Sequence, residues 1–379
     1  MAVDTHHPVV LWVVPVPEFG GVARHVADVA AAGLPGFDLA VLAPAGALTK
    51  RLEQLGVQVI TADFGPAAGF VASFKALNAA IDELQPVAVH SHLAYADVVA
   101  AAMINARKAQ RLARRPVTVP QLVTTEHGIA GDDAVYHGTH LKARGRELMH
   151  RVRLWGTDRK IAVSESTAQQ MAAKWGARGV ETIYNGVDAA AVRSAVERAR
   201  ASSSVEGGPR VLSLSRLAPE KGLDVLVDAF ARVAEEHPQA HLELAGIGPL
   251  EQQLREQVDR WGLTDRVSFP GFVDPIQAMG RADVLVQLSV WENCSYTLLD
   301  AKSAGLAVVV TAVGGNPEIV SETELVESLT GGDRNRQVAE IAESITQAWR
   351  REPAADFRWM TNAQMSERIA RGYWKEARR

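Results

Sequence analysis

Short apolar runs rich in Val, Ile and Leu alternate with helix-length amphipathic segments along almost the whole chain. Runs that are apolar at nearly every position suit strands buried on both faces, and such strands belong to parallel sheets covered by helices. In the first half the pattern predicts strands at Val9–Val14, Asp38–Leu42, Val57–Thr61, Val87–His90, Gln121–Thr125, Lys160–Val163 and Thr182–Tyr184. Helices are expected at Gly21–Ala32, Phe70–Leu84, Asp97–Leu112, His137–Arg153 and Ser166–Trp175, the last preceded by Ser164 as an N-cap. A second series follows, with strands at Arg210–Ser215, His241–Ala245, Arg266–Phe269, Val284–Leu288 and Ala307–Thr311 and helices at Leu223–Glu235, Leu250–Trp261 and Thr297–Ala304.

Two βα series of this size imply an α/β protein with two doubly wound, Rossmann-like domains. The expected boundaries are 1–188 for the first domain and 210–359 for the second. Residues 189–209 form the connection: they are rich in Ala, Arg and Ser, lose the strand signal and end in Gly207-Gly208-Pro209. A helical segment over 360–379 is expected to pack back onto the first domain. Ligands of such sheets bind outside the carboxyl ends of the strands, so two facing sheets would share one cleft.

Charge and cysteine content narrow the partners. A net charge of −4 over 379 residues argues against a dedicated nucleic-acid binder. Residues 101–160 are locally basic, with twelve Lys/Arg against five Asp/Glu. The single cysteine, Cys294, excludes an intrachain disulfide and any cysteine-based metal cluster. The N-terminus lacks the basic region of a signal peptide, and the run Val9–Val16 is far shorter than a membrane span. A cytoplasmic protein is expected, with a membrane surface as a candidate partner.

The chemistry concentrates at strand exits. Past the run ending at Leu288 stand Glu292, the polar turn Asn293-Cys294-Ser295, and a helix whose first turns carry Asp300. Backbone amides at such a helix start favour phosphate, and the two carboxylates can accept from sugar hydroxyls. Spacing of two acids alone arises by chance. Arg216 and Lys221 follow the strand ending at Ser215, a fork and a point charge suited to a diphosphate; two solvated surface cations are the other reading. Gly20-Gly21 between the first strand and helix lets backbone approach a ligand, or simply makes a tight turn. His127 ends a strand beside Glu126 and Gly128 and could hydrogen-bond a substrate or be structural; His90 and His92 share that ambiguity. Gly246-Ile247-Gly248 lacks the third glycine of a dinucleotide fingerprint, and there is no Walker A loop, no H-E-x-x-H and no G-x-S-x-G. Asp132-Asp133 is adjacent rather than D-x-D, so no metal ligands are assigned.

Taken together these pieces resemble the retaining GT-B glycosyltransferases of family GT4. The resemblance runs from about Val9 to Ile319. It is carried by Gly20-Gly21-Val22, Glu126-His127-Gly128, Ser164, Tyr184-Asn185-Gly186-Val187-Asp188, Ser215-Arg216-Leu217 with Lys221-Gly222, Gly246-Ile247-Gly248-Pro249, Phe269-Pro270-Gly271-Phe272, the 291–306 segment and Val313-Gly314-Gly315-Asn316-Pro317-Glu318. It implies a nucleotide-diphosphate sugar donor, UDP- or GDP-linked, with no metal and no further cofactor. Arg216 and Lys221 would hold the diphosphate, Glu292 the sugar hydroxyls, and amides around Cys294–Thr297 sugar and phosphate. Asp300 would accept from the ribose, His127 would touch the sugar, Gly21 the phosphates, and Gly271, Phe272 and Val273 the base. Gly20, Gly246, Asn293, Ser295, Tyr296 and Thr297 complete the expected donor contacts.

The chain departs from the family pattern in two places. The second acid of the usual Glu-x7-Glu is Asp300, one methylene shorter, and the turn is Asn-Cys-Ser rather than Gly-Phe-Gly. A GT-B epimerase or phosphorylase, or a non-catalytic GT-B partner subunit, are the competing functions. The acceptor is expected to be a small molecule or a lipid-linked one, since the 101–160 cations could dock anionic headgroups at roughly 1 kcal/mol each.

Overall fold

The computed structural model describes residues 7–129, 149–201, 207–351 and 357–374. The chain divides into two compact units, Met1–Gly186 with Met360–Arg379, and Val187–Trp359.

Unit 1 holds a seven-stranded, all-parallel sheet. Its strands are β1 (Val9–Val13), β2 (Asp38–Ala43), β3 (Gln58–Thr61), β4 (Ala88–His92), β5 (Gln121–Glu126), β6 (Arg159–Ala162) and β7 (Val180–Thr182), in spatial order β3-β2-β1-β4-β5-β6-β7. The order reverses between β1 and β4, which are paired from Val10↔Ala88 to Val13↔Ser91. Alternation along β1 feeds two cores. Val10 and Trp12 pack with α1 (Gly21–Ala32) and α2 (Ala47–Gln54), while Leu11 and Val13 pack with α3 (Phe70–Leu84) and α4 (Ala94–Leu112). A further helix of this unit is α5 (Glu165–Trp175), capped by Ser164 Oγ accepting from Thr167 N–H.

Unit 2 repeats the plan with six parallel strands. These are β8 (Arg210–Leu214), β9 (His241–Ala245), β10 (Val267–Gly271), β11 (Val284–Gln287), β12 (Ala307–Thr311) and β13 (Leu325–Val326), ordered β10-β9-β8-β11-β12-β13. The reversal falls between β8 and β11. Helices α6 (Ala189–Ala201), α7 (Leu223–Glu236), α8 (Glu251–Arg260), α9 (Pro275–Arg281), α10 (Tyr296–Ser303), α11 (Asn316–Ile319) and α12 (Arg334–Arg350) surround it. The core is a continuous aliphatic cluster running from Val211 and Leu226 through Phe230 to Val284, Val309 and Ile345.

Several elements differ from the sequence expectation. The segment expected as a connection contains α6, which packs on α9 and α10 within unit 2. The last strand of unit 1 lies at Val180–Thr182 rather than Thr182–Tyr184. Helices α2, α9 and α12 and strand β13 stand where no element was expected. At the C-terminus the described helix is α13 (Asn362–Ala370), shorter than 360–379; it packs against α1, and Tyr373 beyond it accepts a hydrogen bond from Trp12 Nε1 at 2.9 Å. Of the helix expected at His137–Arg153, residues 149–155 are helical and the rest lies outside the described residues, with Asp132, Asp133, Lys142, Arg144 and Arg146.

Candidate functional site

In unit 2 the loops after β8 and β11 emerge side by side where the strand order reverses, the place at which doubly wound sheets take ligands. After β8 the chain passes Arg216 and makes one 3-10 turn, Pro219–Lys221, closed by Gly222 at φ 60°. The carbonyl of Glu220 accepts from Val290 N–H at 2.9 Å, tying this loop to the one after β11. The Glu220 carboxylate is buried and accepts from Arg216 Nη2, which holds an otherwise exposed guanidinium at the strand exit. No other hydrogen bond engages Arg216 side-chain donors among the described residues.

Lys221 points the other way. Its Nζ lies 3.0 Å from Glu292 Oε2 and 3.4 Å from Ser289 Oγ, and Ser289 Oγ donates to the same carboxylate oxygen at 3.1 Å. Lys221 and Glu292 are each less than a fifth exposed. Glu292 Oε1 carries no hydrogen bond among the described residues, so the carboxylate is held by one oxygen and presents the other. Gly314 fits against this loop: at φ 52°, a Cβ there would collide with the Glu292 carbonyl oxygen.

The turn after Glu292 is not the solvated one its composition suggests. Asn293, Cys294 and Ser295 are all buried. Ser295 Oγ caps α10 by accepting from Leu298 N–H at 3.3 Å and donates to Gln287 Oε1 at 2.8 Å. Gln287 Nε2 donates to Asn316 Oδ1, Asn316 Nδ2 to the Thr311 carbonyl at 3.0 Å, and Thr311 Oγ1 to the Ser289 carbonyl at 2.6 Å. This chain of bonds fixes the 289–295 loop from the sheet side. Helix α10 starts at Tyr296, one residue earlier than expected, with Tyr296 and Asp300 buried and Thr297 half-buried.

Farther along the same edge, Gly246 N–H donates to the Gly271 carbonyl at 2.8 Å, joining the exits of β9 and β10. Phe272 and Ile247 stand exposed there, 84% and 61%, and Val273 is half-buried. Gly246 is required by its own fold: its φ is 142° and a Cβ would strike the Ser215 carbonyl. Gly20 and Gly21 differ, since a Cβ on either meets nothing within 4 Å. No side chain caps α1 there.

Unit 1 gathers four histidines at the exits of β4 and β5 and on α1. His90 is satisfied by Tyr373 Oη at 2.5 Å and Thr125 Oγ1 at 2.7 Å. His25 Nδ1 meets Asn185 Oδ1 at 3.0 Å, and His92 Nδ1 meets His127 Nε2 at 2.8 Å. His25, His90 and His92 are buried and His127 half-buried. Burial brings His25 down to about 4 and holds His90, His92 and His127 well below the usual imidazole range, so all four are neutral near pH 7. Beside them, Arg153 bridges buried Asp97 and Glu126, with Nη2 2.6 Å from Glu126 Oε2. Burial pushes Glu126 up to about 8 and lowers Arg153 to about 10.

The structure thus brings Arg216, Lys221, Glu292, Asn293–Thr297 and Asp300 to one edge of unit 2, with Gly246, Gly271, Phe272 and Val273 beyond; Gly20, Gly21 and His127 belong to unit 1. Sequence reading missed Glu220 and Ser289, which orient Arg216, Lys221 and Glu292, and it missed His25. Glu220 and Ser289 lie within four residues of Arg216 and Glu292 but in irregular loops with no repeating pattern, and His25 acts through Asn185, 160 positions away.

Two all-parallel Rossmann-like sheets with this strand order are the GT-B architecture. Anabaena HepE, solved with UDP and glucose, shares the fold at a TM-score of 0.71 and 23% identity, covering 97% of this chain and 96% of that one. The chain belongs to the glycosyltransferase group 1 family: "Glycosyl transferases group 1" matches residues 196–365 and "Glycosyltransferase Family 4" residues 19–191. It is 32% identical over 248 residues to a 2-deoxystreptamine glucosyltransferase of Streptomyces kanamyceticus, covering 62% of each chain. It is 30% identical over 241 residues to a GDP-mannose-dependent phosphatidylinositol monomannoside mannosyltransferase of Mycobacterium tuberculosis, covering 57% of this chain and 62% of that one. The matched stretches span from about a quarter to 62% of the length of the curated relatives.

Proposed function

We propose that this protein transfers a sugar from a nucleotide-diphosphate sugar to an acceptor hydroxyl, with retention at the anomeric carbon and no metal needed for the transfer. The observation that carries the reading is the Lys221–Glu292–Ser289 triangle beside the Arg216–Glu220 pair. The demanding task in such a reaction is stabilising the departing diphosphate. Arg216 brings a guanidinium with uncommitted donors and Lys221 a second positive charge. Glu292 Oε1 accepts from the transferred sugar's hydroxyls, and amides at Asn293–Thr297 meet sugar and phosphate. Asp300 accepts from the ribose diol, and Gly271–Val273 meet the base. The bond from the anomeric carbon to the phosphate oxygen breaks, the acceptor oxygen bonds on the same face, and its proton passes to the departing phosphate.

A thermal-shift screen of UDP- and GDP-sugars, followed by transfer and hydrolysis assays, tests this reading; the HepE complex puts UDP-glucose first. Lys221→Ala and Glu292→Ala should each lower kcat by about 100-fold, the usual effect of removing one such donor or positioning group. Normal turnover in both variants sinks the site assignment.

For the acceptor we propose a lipid-linked molecule on an anionic membrane. Val152 and Trp155, one helical turn apart, are 62% and 92% exposed, and Arg151, Lys160 and Arg178 line a cavity of about 640 Å³ with Trp155. Tryptophan rimmed by cations suits a headgroup interface. None of the helices in the described residues is long and apolar enough to cross a membrane. Co-sedimentation with anionic vesicles at low salt is expected; its absence would favour a soluble acceptor.

A further inference from the structure

Three of the unit 1 histidines converge in a way that hydrogen bonding among themselves does not use up. His25, on α1, His92, at the end of β4, and His127, past β5, each offer one ring nitrogen, and the three nitrogens lie within 4.8 Å of one another. His25 Nε2 and His92 Nε2 are buried with no hydrogen-bond partner among the described residues. A buried polar atom left unpaired is costly, so two in one cluster call for a ligand. The surroundings prepare the lone pairs. Asn185 Oδ1 can only accept, so His25 carries its proton on Nδ1 and presents Nε2 bare. His127, half-buried, gives the cluster its route to solvent.

We propose that His25, His92 and His127 form a binding site for one Zn²⁺ ion, with a water as the fourth ligand. Three neutral imidazoles are a donor set this borderline ion prefers. At Zn–N distances of about 2.0–2.1 Å, tetrahedral geometry sets ligand nitrogens about 3.4 Å apart, so the trio closes by no more than about 1.4 Å. Binding replaces the His92–His127 hydrogen bond. Asn185 then serves as the outer partner that fixes His25. The ion found no place in the sequence reading because its ligands come from three separate elements and match no spacing pattern.

The test uses full-length, untagged protein. Equilibrium dialysis with Zn²⁺ should give one ion per chain, and Co²⁺ should give the visible absorption of a tetrahedral site. His127→Ala should weaken Zn²⁺ binding at least 100-fold, and Asn185→Ala about 10-fold. Circular dichroism confirms that each variant folds, and Zn²⁺ should raise the Tm of the wild type but not of His127→Ala. Absence of stoichiometric binding, or binding that His127→Ala leaves unchanged, overturns the site and leaves the transfer reading standing.

Discussion

Replacing Arg153 by Met should cost unit 1 about 3 kcal/mol. The guanidinium is 1% exposed and closes on two carboxylates, Asp97 and Glu126, which are 3% and 5% exposed. Removing one partner of a buried ionic group typically costs 3–5 kcal/mol, because the rest is left uncompensated. The lower end applies here. Asp97 keeps two hydroxyl donors, Ser91 Oγ at 2.5 Å and Thr124 Oγ1 at 2.7 Å. The guanidinium also sits 5.1 Å from the centre of the Trp175 ring, worth roughly another 0.5–1 kcal/mol. For a unit of this size, 3 kcal/mol corresponds to a Tm lowered by roughly 6–12 °C. Urea unfolding at pH 9, above the value of about 8 to which burial pushes Glu126, measures it by circular dichroism with Glu126 ionised. The decisive comparison is Arg153→Met in an Asp97→Asn/Glu126→Gln background, where no carboxylate is left behind and most of the loss should return. A loss below about 1 kcal/mol in the single variant, or no recovery in the triple one, refutes the idea that these charges depend on each other.

Three further outcomes are expected. Gly314→Ala should push the Glu292 loop off its seat and abolish the Tm increase given by a bound nucleotide sugar, measured by thermal shift; an unchanged increase would show that Gly314 does not set that loop. Ser295→Ala should cost about 1 kcal/mol in urea unfolding, the usual worth of an N-cap, with a larger value if the Gln287–Asn316 chain loosens too. The Glu324 carboxyl is pushed up by burial, but Lys302 at 2.5 Å and the Ser321 N–H and hydroxyl together hold it below its usual range. Its stabilisation is therefore present above pH 4.5 and lost as pH falls through the depressed value; Glu324→Gln should flatten that acid limb in pH-dependent unfolding.

The βα alternation was readable because parallel strands are buried on both faces, which forces continuous apolar runs such as Val9–Val13, Val284–Gln287 and Ala307–Thr311. Helix α12 also carried its signals: Asp333 caps it, and Val338, Ile341, Ala342 and Ile345 repeat at helical spacing. It went unassigned because no strand run frames it. α2 has too few apolar positions to stand out before its tertiary contacts are known. At the site, Arg216, Lys221 and Glu292 announced themselves as charges at strand exits. The neutral residues that aim them did not: Ser289 and Gln287 are ordinary in sequence and matter only through what they touch. The burial of Asn293 and Cys294 was illegible for the same reason: a polar turn becomes enclosed only through the elements packed around it.

The seam between Trp12 and Tyr373 joins residues 361 positions apart. At the ~5–20 residues per second of ribosomal synthesis, the first partner waits roughly 20–70 s for the second. Throughout that interval β1 has emerged without the helix and tyrosine that complete its core, while every residue of unit 2 is being delivered. Unit 2 is therefore free to fold first, and unit 1 is completed only once Tyr373 has emerged. A chain cut short near residue 360 would carry every residue of unit 2 behind a first unit that never closes.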